Sequence, residues 1–321
     1  MTTKIGTDIN YASGLLQAGS LVAIPTETVY GLAGNALDEN VVLSIFKTKE
    51  RPEFDPLIVH VSSIAQVEKY AQDIPQAAYD LMQRFWPGPL TLLLNKKNNI
   101  PDLVTSGLNT VALRMPNHPL TLNLLNSIDF PLAAPSANPF GYISPTTAKH
   151  VADQLSGKIP YILDGGACEV GIESTIIGFE NNVCTIYRLG GMAVDEIEKV
   201  VGEIQITGSS VSDPRAPGML KSHYAPAKPV YFGEMSHLIK THALKNAAVL
   251  CFTGDDHDFP QDVPVYTLSP HGNMEEAAKY LFAALREFDQ SGAQFLLAEK
   301  FPEKGLGKAI NDRLMRASHA E

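Results

Sequence analysis

The polar residues that could bind or transform a ligand are concentrated between residues 21 and 61. A short apolar run ends at Ile24, and a dense set of hydroxyl and carboxyl side chains follows it: Thr26, Glu27, Thr28 and Tyr30. A second apolar run, 57–61, contains His60. Because both runs have the composition of buried strands, we expect them to deliver their polar groups to one neighbourhood. This arrangement is typical of a small-molecule site at the ends of sheet strands.

A basic pair, Lys49 and Arg51, lies between the two runs, after a helix-like stretch. Arginine offers a phosphate planar two-point contact, and lysine offers a mobile point charge. The same pair could instead be a solvated helix end, where cations complement the helix dipole. The pair alone therefore does not establish a phosphate site.

Two further polar groups follow apolar runs. Ser136 and Asn138 come directly after the run PLAA, where they could donate to phosphate or ribose oxygens or simply satisfy their own turn. Arg114 ends the strand candidate 110–115 and needs a partner there, either Glu27 or a ligand carboxylate. Such groups suit phosphates and a carboxylate. The sequence has no Walker loop, nucleophile elbow or metalloprotease motif.

Short β-rich runs alternate with amphipathic stretches through the first two thirds of the chain, which predicts an α/β domain. The strand candidates 174–179 and 183–187 are adjacent and predict a hairpin, so we expect a mixed sheet. The other strand candidates are 20–24, 57–61, 90–94, 110–115, 131–134 and 160–163, and the helix candidates are 8–18, 38–48, 63–71, 75–85, 118–127, 145–155 and 193–201.

A segment without periodicity, 207–228, interrupts this alternation and reads as a linker. Its residues Arg215, Lys221, His223 and Tyr224 favour a lid or binding loop over a mere spacer. A second α/β pattern follows, with apolar runs at 247–252 and 293–299. We therefore predict three parts: a catalytic domain at 1–206, a linker or lid at 207–228 and a smaller three-layer domain at 229–321.

Composition, net charge and cysteine count limit the classes of protein to which this chain can belong. The 321 residues are 45% hydrophobic and 19% charged, as in ordinary globular proteins, and carry a net charge of −10. This charge argues against tight binding of nucleic acid, which usually needs a basic face. The three cysteines lack metal-ligand spacing, which predicts free thiols in a reducing compartment. Without a membrane span or signal peptide, the cytoplasm is the expected location.

The motifs together closely resemble the threonylcarbamoyl-AMP synthases in their long two-domain form. The matching segments occur in the family's order and cover nearly the whole chain: PTETVYGL at 25–32, Lys49-x-Arg51-Pro52, PLIVHV at 56–61, Pro135-Ser136-Ala137-Asn138, Glu173-Ser174-Thr175, APGMLKSHYAP at 216–226 and NDRLMRA at 311–317.

The resemblance implies a reaction and a fold. L-threonine, bicarbonate and ATP, with Mg²⁺, would become threonylcarbamoyl-AMP and pyrophosphate, and a separate transferase complex would use the adenylate to modify tRNA. It also implies a twisted mixed α/β sheet of the YrdC-like type in the first domain and a smaller Rossmann-like second domain, with a linker that reaches over the mouth of the active site.

The resemblance further implies roles for individual residues, carried over by position. Lys49 and Arg51 would act on the phosphates as catalytic residues. The threonine-binding set would be Thr28, His60, Arg114 and Ser174. The ATP-binding set would be Arg51, Asp55, Thr110, Ser136, Asn138, Ser144, Arg188 and Tyr224. No residue is implied as a metal ligand.

Asp55 departs from the family pattern, because many relatives carry asparagine there. An ionised acid would repel a phosphate, so Arg51 or a metal must compensate, or Asp55 contacts ribose or adenine. Two non-catalytic alternatives stay open, an RNA-binding module and a nucleotide sensor of the same fold. A carbamoyl-transfer module of hydrogenase maturation is excluded, since it would need zinc-binding cysteines.

Overall fold

Alternating apolar strands and amphipathic helices build a large mixed sheet from the first two thirds of the chain. The computed structural model describes residues 2–180, 183–207, 223–254 and 259–319. The strands of this sheet are β1 Lys4–Gly6, β2 Val22–Ile24, β3 Gly31–Asn35, β4 Ile58–His60, β5 Leu90–Asn95, β6 Thr110–Arg114, β7 Leu132–Ala133, β8 Tyr161–Leu163, β9 Thr175–Glu180, β10 Val183–Arg188 and β11 Gln205–Ile206.

The sheet order over the described residues is β1-β8-β2-β3-β7-β4-β6-β5-β9-β10-β11. Parallel pairs such as β4 with β6 are mixed with antiparallel pairs such as β9 with β10, which confirms the mixed sheet and the predicted hairpin. The helices are α1 Ile9–Gln17, α2 Glu39–Lys49, α3 Val67–Tyr70 after a short 3₁₀ turn, α4 Gln76–Phe85, α5 Asp102–Thr105, α6 Pro119–Asn126, α7 Ala148–Leu155 and α8 Val194–Val201.

The second domain is a smaller three-layer unit. Its elements are β12 Val230–Gly233, α9 Met235–Thr241, β13 Ala247–Cys251, β14 Val265–Thr267, α10 Met274–Gln290, β15 Phe295–Glu299 and α11 Gly307–Ala317. The parallel sheet has the order β12-β15-β13-β14. Side chains of α9 pack with Val249 and Leu297 on one face, and those of α10 and α11 pack with Leu250 and Leu296 on the other. The three-layer prediction is confirmed.

The two domains share one apolar core. Val29, Ile143 and Ile172 of the first domain cluster with Phe282 and Ile310 of the second. At Gly171 the backbones come so close that a Cβ would lie 2.4 Å from the Cα of Lys279 in α10. Helices α10 and α11 therefore lie directly against the loops of the first domain.

Polar contacts reinforce this interface. Arg286 of α10 donates to the carbonyl oxygens of Ser144, at 3.3 Å, and Ile143, and to Gln154 Oε1 at 3.0 Å. The Tyr142 hydroxyl donates to Asp289 at 2.6 Å. The second domain thus fixes the segment 142–144, whose carbonyl groups it engages directly.

The boundaries 1–206, 207–228 and 229–321 remain a prediction. Residues 208–222 of the predicted linker, with Arg215 and Lys221, lie outside the described residues. The cysteine prediction is confirmed in part, since Cys168, Cys184 and Cys251 are all free and buried. In the part of the chain that the structure describes, no helix is both long enough and apolar enough to span a bilayer.

Candidate active site

A cavity of about 50 Å³ lies against one face of the large sheet and is roofed by residues that precede the second domain. Ile58 and His60, two residues apart in β4, both line it, because alternate side chains of a strand share a face. The sequence predicted a site at the ends of strands, and this prediction describes only part of the cavity. The site extends across the face of the sheet as well as the ends of β4 and β6.

Predicted site residues from distant parts of the sequence converge on this cavity. They are Thr28, Arg51, His60, Arg114, Ser136, Ser174, Arg188 and Tyr224. Other predicted residues lie outside its lining: Lys49, Asp55, Thr110, Asn138 and Ser144.

Arg114 and His60 lie side by side at the ends of paired strands, since His60 of β4 is in register with Arg114 of β6. Arg114 forms a buried ion pair with Glu27 at 2.8 Å, so Glu27 is the partner that the sequence left open. Burial and the Arg114 charge lower the pKa of His60 to about 3, so its imidazole is neutral at physiological pH. His60 Nδ1 is buried without a hydrogen-bond partner among the described residues, which leaves it available to a ligand.

Arg188 and Ser174 form the opposite wall. Arg188, at the end of β10, donates to the Ser174 carbonyl oxygen at 2.9 Å and to its hydroxyl at 3.1 Å. The same hydroxyl is 2.7 Å from Thr91 Oγ1 of β5. Ser174 is thus held by two neighbouring strands, and burial lowers the pKa of Arg188 without removing its charge at physiological pH.

Arg51 reaches the cavity because helix α2 ends just before it. Glu50 adopts a left-handed conformation, with φ of 55°, that closes the helix. Arg51 then forms an ion pair with Asp55 at 2.9 Å and donates to the carbonyl oxygen of Pro56 at 2.8 Å. Arg51 therefore compensates the charge of Asp55 in this structure.

Lys49 lies behind the cavity and supports one of its turns. Its ammonium group donates to the carbonyl oxygens of Ser136 and Asn138. Burial and then the neighbouring Arg51 lower the pKa of Lys49 well below its usual value. Asn138 donates its amide to the carbonyl oxygens of Pro139 and Tyr142, both at 2.8 Å. The two residues thus shape the turn that presents Ser136.

Thr28 belongs to a loop that hydroxyl groups hold in place. Thr26 Oγ1 donates to the carbonyl oxygen of Val29 at 2.6 Å and accepts from the amides of Thr28 and Val29, both at 3.2 Å. Thr28 Oγ1 lies 2.8 Å from Thr26 Oγ1 and faces the cavity. The PTETVYG segment therefore acts as a rigid rim.

Thr110 lies on the same face of β6 as Arg114 but four residues away, about 13 Å at the rise of a strand. The structure thus places it at a distance from the cavity that an extended nucleotide could span. It does not bring Thr110 into contact with the other predicted residues.

Tyr224 and His223 form the roof. Tyr224 has a left-handed backbone, with φ of 63°, and its ring stacks on Phe282 of α10 with centroids 5.4 Å apart. His223 meets the Tyr224 ring edge-on at 4.1 Å. Burial raises the pKa of Tyr224 to about 12, so its hydroxyl remains protonated.

Two ionisable residues that line the cavity were quoted in motifs but not assigned to the site, Glu173 and His223. Glu173 lines the cavity and accepts from Ser144 Oγ at 2.5 Å, which connects Ser144 to the site indirectly. Its other carboxylate oxygen pairs with Arg313 of α11 at 3.0 Å. For Glu173 the signal in the sequence was its position directly before Ser174, and for His223 it was the composition of the segment 207–228, which favoured a binding loop.

The arrangement is chemically distinctive. Three buried arginines, Arg51, Arg114 and Arg188, line one small cavity together with hydroxyl groups and a neutral imidazole. Such a set can bind a carboxylate and phosphates, and it offers no activated nucleophile. Among the described residues, no group of three histidine, cysteine or acidic side chains is placed to hold a metal ion.

Comparison with known proteins gives consistent matches for both domains. Residues 14–190 match the family model described as Telomere recombination, and residues 192–319 match the one described as Threonylcarbamoyl-AMP synthase, C-terminal domain. The threonylcarbamoyl-AMP synthase of Pyrococcus abyssi is 45% identical over 97% of this chain and 94% of its own length. That of Bacillus subtilis is 41% identical over 99% and 96%, respectively.

The fold agrees with the sequence matches. The crystal structure of P. abyssi Sua5 complexed with L-threonine superposes with a TM-score of 0.91 at 42% identity, covering 99% of this chain and 98% of that one. Family models, near-full-length relatives and a whole-chain structural match thus agree with the cavity's chemistry. The chain belongs to the threonylcarbamoyl-AMP synthase family.

Proposed function

We propose that this protein joins L-threonine, bicarbonate and ATP into threonylcarbamoyl-AMP and pyrophosphate, and so acts as a nucleotidyltransferase. The observation that carries the proposal is the convergence of Arg51, Arg114 and Arg188 on one buried cavity. The carboxylate of threonine and the three phosphates of ATP are negatively charged, and arginine side chains bind both kinds of group. Family membership supplies the identity of the substrates.

Threonine would occupy the part of the cavity between β4, β6 and β9. Arg114 would bind its carboxylate, and the Glu27 pair at 2.8 Å keeps the guanidinium correctly oriented until the substrate arrives. His60 Nδ1, which has no hydrogen-bond partner among the described residues, would bind a polar atom of the amino acid. Thr28 and Ser174 would complete the set with hydroxyl groups.

ATP would occupy the rest of the cavity, near Arg51, Ser136 and Arg188. Asn138 and Ser144 would contribute through the turns that they support, and Thr110 would mark the far end of the nucleotide. Tyr224 would cover it from above. Asp55 would act by orienting Arg51, with which it pairs at 2.9 Å.

The chemistry needs no covalent enzyme intermediate. The threonine amine attacks bicarbonate, and water leaves, or it attacks carbon dioxide derived from bicarbonate, and the amine loses a proton to solvent; either route gives a carbamate. A carbamate oxygen then attacks the α-phosphorus, and the bond to the bridging oxygen breaks to release pyrophosphate. The protein would act by holding the reactants together and by stabilising the charge that develops on the phosphates. Arg51 would compensate that negative charge directly, and Lys49 would do so from behind the turn that presents Ser136.

Magnesium is proposed to arrive with ATP as part of the substrate. Mg²⁺ commonly keeps several waters and binds phosphate oxygens with few protein ligands, which fits a cavity rich in cations and hydroxyl groups. Glu173 is the acidic side chain that lines this cavity, and both of its oxygens already have partners.

The cellular context follows from the reaction. A separate transferase complex would take up the adenylate to modify tRNA in the cytoplasm. The net charge of −10 favours transfer of a small-molecule product over tight binding of the tRNA itself.

The test is pyrophosphate release by the purified full-length protein with ATP, magnesium and bicarbonate, with and without L-threonine. Threonine-dependent release and a product with the mass of the adenylate are expected. If folded protein released none, a nucleotide-binding module would be the better reading. A salt-sensitive shift of RNA at sub-micromolar protein would instead favour the RNA-binding reading.

A further inference from the structure

Arg313, in the last helix of the second domain, contacts both a wall and the roof of the candidate site. It is fully buried, and its Nε lies 3.0 Å from Glu173 Oε2. Its guanidinium carbon lies 5.1 Å from the centroid of the Tyr224 ring. Both partners line the cavity, whereas Arg313 does not. One residue of the second domain therefore touches the first domain's site at two points.

The contact with Glu173 matters because the cavity is suited to anions. A carboxylate on its wall would repel phosphates and the threonine carboxylate if its charge were uncompensated. Arg313 supplies the compensating charge to one oxygen, and Ser144 donates to the other at 2.5 Å. The two contacts fix the direction of the carboxylate and limit its effect on the substrates.

The contact with Tyr224 matters because this residue has an uncommon backbone. A bulky residue with φ of 63° needs support from its surroundings. Phe282 stacks on the ring, and the Arg313 guanidinium lies within cation–π distance of it. Two residues of the second domain, Phe282 and Arg313, thus hold Tyr224 in its position above the cavity.

The remaining bonds of Arg313 also point away from a purely structural role. Its NH1 pairs with the adjacent Asp312 at 2.8 Å, while its NH2 is buried without a hydrogen-bond partner among the described residues. Buried donors of stable proteins are nearly always satisfied. Because this NH2 stabilises no partner among the described residues, Arg313 can act on the site only through its contacts with Glu173 and Tyr224.

We propose that Arg313 is a positioning residue for adenylate synthesis, acting through Glu173 and Tyr224 to keep the nucleotide side of the site electropositive and covered. The second domain is then an integral part of the active site. This inference rests on the proposed function, since its readout is threonine-dependent pyrophosphate release.

The test compares Arg313→Gln, Glu173→Gln and the double variant in the full-length chain. Arg313→Gln is expected to lower kcat/KM for ATP by at least about tenfold, because it leaves a buried carboxylate uncompensated. The double variant removes that carboxylate charge and is expected to recover to within about threefold of the wild type. Arg316→Gln is the matched control, because Arg316 is also buried in α11 and pairs with Asp312 at 3.0 Å.

Two results would overturn the proposal: a double variant as impaired as Arg313→Gln, or an Arg313→Gln defect no larger than that of Arg316→Gln. If Arg313→Gln does not fold, the kinetics of Arg313→Lys are measured instead. This variant keeps the charge but loses the planar group beside Tyr224, so KM for ATP should rise while kcat stays within about threefold. Unchanged kinetics would count against the role. A wild type without threonine-dependent release would refute the proposed function itself.

Discussion

At the scale of single residues, the site combines strong charges with deep burial. Arg114, paired with Glu27 at 2.8 Å, is buried beside a neutral His60. In such surroundings neither member of the pair can be neutralised alone without consequence, since a buried charge that loses its partner is strongly destabilising. Substrate binding and stability are therefore coupled at the same side chains.

Arg114→Gln should raise KM for threonine more than KM for ATP. A charge-assisted hydrogen bond contributes about 1.5–3 kcal/mol, which corresponds to about 10–100-fold in threonine affinity. Steady-state kinetics with each substrate varied in turn will give the two KM values. Arg84→Gln, at an exposed arginine of α4, is the control. Equal increases for both substrates would contradict the assignment of Arg114 to threonine.

His60 predicts a pH dependence of stability. Its native pKa of about 3 lies below the ordinary value of 6.5, so between these values the unfolded chain binds a proton that the native chain does not. Stability should therefore fall as pH falls below 6.5, by about 1.4 kcal/mol per pH unit from this residue. Denaturant unfolding at pH 7 and pH 5 should show a smaller loss in His60→Gln than in the wild type.

The exposed His237 of α9 supplies the comparison for that measurement, because His237→Gln should leave the wild-type pH dependence intact. Equal losses in His60→Gln and the wild type would show that His60 does not titrate as described.

Asp55→Asn should retain adenylate synthesis. The asparagine oxygen can still accept from Arg51, which lies 2.9 Å from the carboxylate, and the Arg51 backbone contact to Pro56 is unaffected. Pyrophosphate release within about tenfold of the wild type is expected, since the change removes one charge but leaves an oxygen beside Arg51, and the backbone carbonyl oxygen of residue 55 still accepts from Arg51. Complete loss of activity would show that the negative charge itself is needed.

At the scale of elements, strand alternation and helix ends place the site residues. The two-residue period puts Ile58 and His60 of β4 on the cavity face, and the left-handed Glu50 ends α2 so that Arg51 turns inward. Lys49, one residue before that turn, instead supports Ser136 and Asn138 from behind. A single helix end thus positions both members of the basic pair.

Lys49→Ala should lower turnover on the order of a hundredfold if the ammonium group acts on the phosphates as proposed. Without the ammonium, the carbonyl oxygens of Ser136 and Asn138 also lose a buried donor, so the turn should shift. Single-turnover pyrophosphate release is the measurement. Lys47→Ala, at an exposed lysine of the same helix, should stay near wild-type activity. Near-normal turnover of Lys49→Ala would show that the role is wrong.

Elements with clear periodicity were predicted well from the sequence, for physical reasons. The apolar runs that became β4, β5, β6, β9 and β10 and the amphipathic stretches that became α1, α2 and α4 were all predicted within a few residues. Strand β3, GLAGN, was missed because glycine and alanine carry little β-propensity. Strands β1, KIG, and β11, QI, were missed because they are largely exposed and form no apolar run.

Helix α7 shows a different limit. A proline at the first turn predicted a start near residue 145, but the helix begins at Ala148 with Thr147 as its N-cap. The Pro145 carbonyl oxygen accepts from the Tyr30 amide, and Ser144 is engaged by Glu173 and Arg286. Tertiary contacts outweighed the local signal. The role of Glu173 was equally hidden, since its partner Arg313 lies 140 residues away in the chain.

At the scale of the whole molecule, the two domains share a core and a network of polar contacts. Phe282 packs with Ile143 and Ile172, and Arg286 binds the segment that carries Ser144. An interface with this much apolar and polar contact is expected to link the stabilities of the two domains.

Arg286→Ala should lower the stability of both domains together by about 1–3 kcal/mol for each buried carbonyl group that it leaves without a donor. Calorimetry should show one shifted transition. Lys240→Ala, at an exposed residue of α9, should leave the Tm near that of the wild type. A shift confined to the second domain, with the first domain melting as before, would argue that the two unfold independently.

The close approach at Gly171 has an evolutionary consequence. Any side chain there would meet the backbone of Lys279, so a larger residue would require α10 to move away from this loop of the first domain. A lineage that discarded the second domain would lose this steric requirement, but the left-handed backbone of Gly171, with φ of 79°, would still disfavour other residues. Glycine is therefore expected at this position in any relative that keeps the two domains packed in this way, and sequencing such relatives would check it.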